Sequence, residues 1–333
     1  MTSSTTLLFG EDLGMGVNKL YGSQGGLTLP SLVAAETGRA VGHLLGFRHT
    51  KPPLHIRFDG SEFYVGSGSH DWGRPIENLD YDRMIGVPET RAVLYGNLSQ
   101  YIAQYGDFDK PLAFLVGLPL EPLSGPDAQA NANAVRQWLK GEHHWEADGK
   151  PRQVSITDVR VTSQPSGALF DYLLDEKGQF IPDRKAVLKQ EIGIVSIGFN
   201  TLELLTVKDK APVQAMTAGR TLGVRRLLEL VNPEGLYTLG ELDGHLRSGQ
   251  LDTRSALPVW GSEVSGQIEK TWGRRWRRFT QIIVVGGGAL LLRDHLIERF
   301  NGKVYLPEDP VMAIARGLYK LALQQANRRG QGE

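Results

Sequence analysis

Residues 10–21, Gly-Glu-Asp-Leu-Gly-Met-Gly-Val-Asn-Lys-Leu-Tyr, place an acid, two glycines and a lysine in a turn between two apolar runs. Leu7, Leu8 and Phe9 read as the end of a buried strand. Gly14 and Gly16 let the backbone turn tightly, and Leu20 and Tyr21 start the return. The pattern is a hairpin rather than a strand entering a helix, and a phosphate fits its turn. The same grammar recurs, because residues 12–21 align without gaps on residues 196–205, Ser-Ile-Gly-Phe-Asn-Thr-Leu-Glu-Leu-Leu. Two such turns in one chain imply two similar half-molecules clasping one ligand.

Length agrees with that division. A chain of 333 residues exceeds the roughly 250–300 at which one hydrophobic core stops growing, so two domains with a cleft are expected. Lys plus Arg equals Asp plus Glu at 37 each, leaving no global field to draw in nucleic acid or an acidic membrane. There is no cysteine, which removes thiolate chemistry and cysteine-zinc sites and suits a reducing cytoplasm. The leading Met-Thr-Ser-Ser-Thr-Thr lacks the charge and apolar core of a signal peptide. Residues 282–292, the longest apolar run, are interrupted by three glycines and fall short of the ~20 residues that span a bilayer. A soluble, cytoplasmic protein without direct membrane contact is expected.

Along the chain, residues 27–36 predict a strand, and residues 55–58 and 62–65 a hairpin about Asp59-Gly60. Helical spacing covers 90–105, strands are predicted over 111–120 and 153–161, and a helix over 127–140. Pro165 opens another helix, placing a domain boundary near residue 163, and residues 178–189 are a polar connection. Helices are predicted over 217–232, 261–278, 289–300 and 310–327, with a strand at 281–285 and an extended piece at 304–306. Mixed strands with intervening helices in each half indicate an α/β protein.

Several segments carry candidate chemistry. In the first turn, backbone N–H groups suit terminal phosphates, Asp12 suits Mg²⁺ held through water, and Lys19 suits neutralising phosphate charge. The plain alternative is a glycine-rich hairpin with a surface lysine. Gly198, Asn200 and Thr201 of the second turn offer donors from the opposite side. Gly286-Gly287-Gly288 after the apolar strand permits close approach of a ring or phosphate, although Leu291 stands where a dinucleotide fingerprint needs glycine. No Gly-Lys-Ser or Gly-Lys-Thr occurs, which excludes a Walker loop. Ser67, Ser69, His70 and Asp71 lie together, but adjacency does not make a catalytic triad. His143-His144 lacks a second ligand pair at metal spacing and reads as a solvated loop. Residues 272–279, Trp-Gly-Arg-Arg-Trp-Arg-Arg-Phe, read as buried aromatics with exposed arginines rather than as a nucleic-acid surface.

Taken in order, these segments resemble the actin-like ATPases of prokaryotes, in particular the ParM type of plasmid-segregation filament protein and its archaeal relatives. Residues 12–19 resemble that family's first phosphate loop, 196–203 its second, 284–291 its adenosine segment, and 161–168 and 306–319 its two connecting segments. The resemblance covers nearly the whole chain. It implies two ribonuclease-H-like domains, 1–162 with a terminal helix (310–333) packing back on it, and 163–309, around ATP (or GTP) and Mg²⁺. It also implies nucleotide binding by Gly14, Met15, Gly16, Val17, Asn18 and Lys19, by Gly198, Phe199, Asn200 and Thr201, and by Gly286, Gly287 and Gly288. Asp12 would serve the metal and, with Gln164, which falls where the family orients the attacking water, the chemistry. The implied partners are further copies of the chain in a filament and a DNA-binding adaptor. A non-polymerising ATPase or kinase of the wider actin and heat-shock superfamily is the alternative. One departure stands out: the family's second loop usually opens with Asp, and this chain has Ser196. The missing charge slows hydrolysis unless Glu203, Glu11 or Glu191 supplies it.

Overall fold

The computed structural model describes residues 6–38 and 51–330. Residues 1–5, where a signal peptide would have begun, lie outside the described residues, as does the end of the implied 310–333 helix. No helix among the described residues is long and apolar enough to cross a membrane.

The first half contains β1 (Leu7–Asp12), β2 (Val17–Gly22), β3 (Gly25–Pro30), β4 (Val33–Ala35), β5 (Leu54–Phe58), β6 (Ser61–Val65) and β7 (Arg74–Pro75). Then come α1 (Pro88–Tyr105), β8 (Leu112–Leu118), α2 (Ala128–Leu139), β9 (Gly141–Ala147), β10 (Lys150–Ser163) and α3 (Gln164–Leu173). The second half runs α4 (Pro182–Lys185), β11 (Glu191–Ile197), β12 (Leu202–Lys208), β13 (Ala211–Pro212), β14 (Ala218–Arg220), α5 (Val224–Val231) and α6 (Leu239–Arg247). It ends with α7 (Leu257–Trp272), β15 (Gln281–Val285), α8 (Gly287–Leu291), α9 (Arg293–Arg299), β16 (Val304–Tyr305) and α10 (Ala313–Gly330).

Each half is built on the same pairing. In the first sheet β2 and β3 meander antiparallel from β1, while β8 and β10 continue parallel on its other side. In the second, β12 is antiparallel to β11, and β15 and β16 continue parallel. The central strands β8 and β11 read as near-continuous apolar runs because helices cover both their faces. β10 is long enough to serve two neighbours: its first half pairs antiparallel with β9 and its second half parallel with β8, with an irregularity between Ile156 and Asp158. The sheet thereby extends to β9, β5, β6, β4 and β7.

Three apolar clusters fill the layers. One lies under α1 and one around Trp260 and Trp272. The third joins faces of both sheets through α3 and α10, with Leu115, Ile194 and Val285 meeting Leu169, Ile314 and Leu318. Small residues make that junction possible. A Cβ on Gly317 would overlap the Gly167 carbonyl, and one on Gly10 would overlap the Ala315 carbonyl. A buried ion cluster locks the same crossing: Asp171 accepts from Arg316 at 2.6 and 2.7 Å, and from Lys320 at 3.1 Å.

Most predicted elements are present, and the exceptions have physical causes. The 27–36 strand is two strands, β3 and β4, and the polar connection 178–189 includes α4. The hairpin at Asp59-Gly60 has both residues at positive φ, 48° and 75°, as a primed turn requires. The predicted helix over 217–232 begins only at Val224. Residues 218–220 instead pair antiparallel with β12 as β14, and Gly223 then packs closely on the Phe199 carbonyl before the helix starts. His143-His144 is not in a loop but in β9, where alternation points His143 and Trp145 into the core. His143 is only 6% exposed and meets the Tyr95 hydroxyl at 3.0 Å and the Leu139 carbonyl at 2.8 Å. In residues 272–279, Trp272 and Phe279 are buried while the four arginines are exposed.

Candidate functional site

A cleft of about 270 Å³ opens between the halves and is lined by both glycine turns, by α6, by the start of α8 and by the approach to α10. It lies beyond the carboxyl ends of β1, β8, β11 and β15, where α/β sheets present loops to a ligand.

Asp12, the last residue of β1, lies at its floor. The register Asp12↔Lys19 brings the lysine across from the acid, and Lys19 Nζ donates to Oδ2 at 2.8 Å. Gln164, the first residue of α3, donates through Nε2 to Oδ1 at 2.7 Å. Asp12 is 1% exposed, so its charge is held by these two donors.

The two turns touch. A Cβ on Gly16 would overlap the Phe199 side chain, and Asn200 Nδ2 approaches Met15 Sδ at 3.0 Å. Each turn is also pinned from its own side. Ser31 donates its N–H to Gly16 O at 2.9 Å and its hydroxyl to Gly14 O at 2.6 Å. At the second turn, Val224 N and Arg225 N donate to Gly198 O and Phe199 O at 3.0 and 2.7 Å. Gly286, at φ 94°, backs onto the Ile197 carbonyl, whereas a Cβ on Gly287 would meet only open space.

Of the residues named from the sequence, Asp12, Gly14, Met15, Gly16, Val17, Lys19, Gln164, Gly198, Phe199, Asn200, Thr201, Gly286 and Gly287 line one cleft. Asn18 and Gly288 do not. Alternation turns the Asn18 side chain to the other face of β2, where it donates to Glu11 and accepts from Asn97. Gly288 packs on Ile197 and Trp260 and serves the core. Unforeseen were Asp243, Leu246 and Arg247 of α6, which form the far wall. Asp243 there is held by Arg247 at 2.6 and 3.2 Å. The start of that helix was legible, since Thr238 and Glu241 form a capping box.

The three acids named as offsets for Ser196 separate cleanly. Glu191 is at the far end of β11, paired with Lys208 and Arg278, roughly 16 Å from Ser196 along the strand. Glu11 points away from Asp12 and is fixed by Asn18; burial raises its pKa to about 8. Glu203 lies directly across from Ser196 in the β11–β12 register. Its Oε1 accepts from Leu120 N–H at 2.6 Å, its Oε2 has no partner, and burial raises its pKa to about 8. A floor carrying Asp12 and Lys19, under turns rich in N–H groups, is a donor set suited to a phosphate with a hard cation. Elsewhere, His70 meets Asp71 at 3.7 Å, and no hydrogen bond joins it to either serine among the described residues. The triad reading therefore has no support.

Residues 10–167 match the family described as actin-like proteins, N-terminal domain. The apo pSK41 ParM protein superposes with a TM-score of 0.72 at 17% identity, covering 98% of this chain and 100% of the other. A ParM from a 15-stranded filament of Clostridium botulinum gives 0.71 at 20% identity, covering 96% and 99%. An archaeal actin homologue in complex with ADP gives 0.71 at 20%, covering 97% and 100%. No curated protein matches the sequence. The chain has the actin-like fold of two α/β domains about one cleft, and its first half carries the actin-like N-terminal domain.

Proposed function

We propose that the cleft binds a nucleoside triphosphate, ATP or GTP, with Mg²⁺, and that the bound protein assembles into filaments that segregate plasmid or other DNA through a DNA-binding adaptor. The observation carrying this reading is the contact of the two hairpin turns over one floor, with Gly16 against Phe199 and Asn200 against Met15. Likeness in fold to a filament-forming ParM and to an archaeal actin homologue with ADP supports it.

Asp12, fixed by Lys19 and Gln164, would hold the water shell of Mg²⁺, whose charge offsets that of the phosphates. The N–H groups of residues 14–17 and 198–201 and the Lys19 ammonium would grip the phosphates from two sides. With Gln164 Nε2 committed to Asp12, its Oε1 can accept a hydrogen bond from a water and aim it at the terminal phosphorus. In-line attack would form the new O–P bond as the bridging P–O bond to the terminal phosphorus breaks, giving nucleoside diphosphate and inorganic phosphate, with the water's protons passing to the released phosphate and to solvent. Hydrolysis would be slow unless another acid supplies the charge that the neutral Ser196, which faces the cleft, does not carry. The domains divide at 1–162 with 310–333, and 163–309, so α3 and α10 are the two connections about which the cleft would close.

Sedimentation and electron microscopy with ATP or GTP, each with and without Mg²⁺, test the proposal. Filaments dependent on nucleotide and Mg²⁺ are expected. A protein that binds nucleotide yet stays monomeric at high concentration belongs instead with the non-polymerising ATPases or kinases.

A further inference from the structure

The hairpin of β5 and β6 carries a group of side chains that the cleft does not use. Its register pairs His55 with Tyr64 and Arg57 with Glu62, and alternation puts all four on one face, while Ile56 and Phe63 on the other face are buried in the core. Glu36, just after β4, joins them because its N–H donates to the Glu62 carbonyl at 3.0 Å and continues the β4–β6 pairing. The backbone of three strands thus sets where these side chains stand.

Two carboxylates and an imidazole converge there. His55 Nε2 is 3.1 Å from Glu36 Oε2 and 3.3 Å from Glu62 Oε2, and the three side chains offer donor atoms that all lie within 4.8 Å of one another. A tetrahedral zinc ion with bonds of about 2.0–2.1 Å separates its ligands by about 3.3 Å, which is the spacing of the imidazole from each acid. The other oxygen of each carboxylate has an outer partner: Glu62 Oε1 accepts from Arg57 Nε at 2.9 Å, and the Tyr64 hydroxyl is 3.5 Å from Glu36 Oε1. Tyr64 also lies against the His55 ring, with centroids 5.1 Å apart, and the His55 backbone N–H donates to Asp148 Oδ1 at 2.9 Å. Outer partners of this kind orient the ligands of a metal. His55, Glu36 and Glu62 keep 22, 30 and 35% of their side-chain surface exposed, so an ion can enter from solvent and retain water.

We propose that Glu36, His55 and Glu62 bind a zinc ion, with water in the fourth position, at a site separate from the cleft, whose lining includes none of the three. Two carboxylates this close repel unless positive charge stands between them. Zn²⁺ supplies two charges where an imidazolium supplies one, and an imidazole nitrogen beside carboxylate oxygens favours zinc over Mg²⁺ or Ca²⁺. The role is structural: the ion ties the end of β4 to β5 and β6 in the outer part of the first sheet.

The test is calorimetry of the metal-stripped, nucleotide-free protein with ZnCl₂, and separately with MgCl₂ and CaCl₂, in wild type, His55→Gln, Glu36→Gln and Glu62→Gln, with His70→Gln as a control. Melts without metal report folding, and melts with zinc report whether the ion stabilises the native state. Wild type should bind a single Zn²⁺ per chain at this site and melt at a higher temperature with it. His55→Gln should weaken zinc binding by at least about 100-fold, the upper end of what losing even an outer partner costs, and each Glu→Gln change by at least about 10-fold. His70→Gln should stay within about threefold of wild type. Co²⁺ in place of zinc should give the visible absorption of a tetrahedral site in wild type and not in His55→Gln. A folded His55→Gln protein that binds zinc as wild type does overturns the proposal, as does a loss of equal size in His70→Gln. Wild-type protein that takes up no zinc overturns it too, and leaves the group as a histidine–carboxylate ion pair; none of these results bears on the cleft.

Discussion

Gln164 donates its side-chain amide to Asp12 Oδ1 at 2.7 Å, joining the first residue of α3 to the last residue of β1 across 152 positions of sequence. Gln164→Ala removes the group that can aim a water while leaving the Lys19–Asp12 pair in place. Single-turnover phosphate release should fall about 10²- to 10³-fold, with nucleotide affinity changed by less than about threefold. An equal fall in both would show that the residue serves binding, not the attacking water.

Asp12→Ala deletes the acid that both Lys19 and Gln164 hold. Calorimetry should show the Mg²⁺-dependent part of nucleotide affinity abolished. Unchanged affinity would remove Asp12 from the site.

Much of this arrangement was legible in the chain because hairpins with glycine turns are local. Leu7 to Tyr21 and Ile194 to Leu205 carry their own turn chemistry, and the pairing follows from it. What escaped depends on distant packing. His143 and Trp145 alternate with polar residues in a seven-residue strand, and only the neighbouring β10 and α1 decide that the histidine faces inward. Asn18 sits in a phosphate-loop-like run, yet strand alternation and the partner Asn97, 79 positions away, turn it from the cleft. The solitude of Glu203 Oε2 is invisible in Leu-Glu-Leu-Leu, because it depends on which groups other strands fail to bring.

Asp171→Ala leaves Arg316 without its carboxylate partner and Lys320 with only the exposed Glu176, at 2.8 Å. Asp171 and Lys320 are nearly dry, so denaturant unfolding should show a loss of about 3–5 kcal/mol. A loss under about 1 kcal/mol would mean the crossing is held by its apolar contacts alone.

His143 supplies a pH dependence. Burial lowers its pKa below the ordinary 6.5, so the folded state binds its proton less readily than the unfolded chain. The stability it contributes is present above about pH 6.5 and is lost as pH falls toward its depressed value, at no more than about 1.4 kcal/mol per pH unit. Melts of wild type and His143→Gln between pH 7 and 5 should show a shallower slope in the variant. Parallel slopes would assign the acid sensitivity elsewhere.

The most direct measurement is a crystal structure of the protein with Mg²⁺ and a non-hydrolysable triphosphate analogue. Density for the phosphates between residues 14–17 and 198–201, with the metal's waters on Asp12, is the expected result. A nucleotide bound anywhere else, or turns that stay in contact while the ligand occupies another surface, would contradict the account.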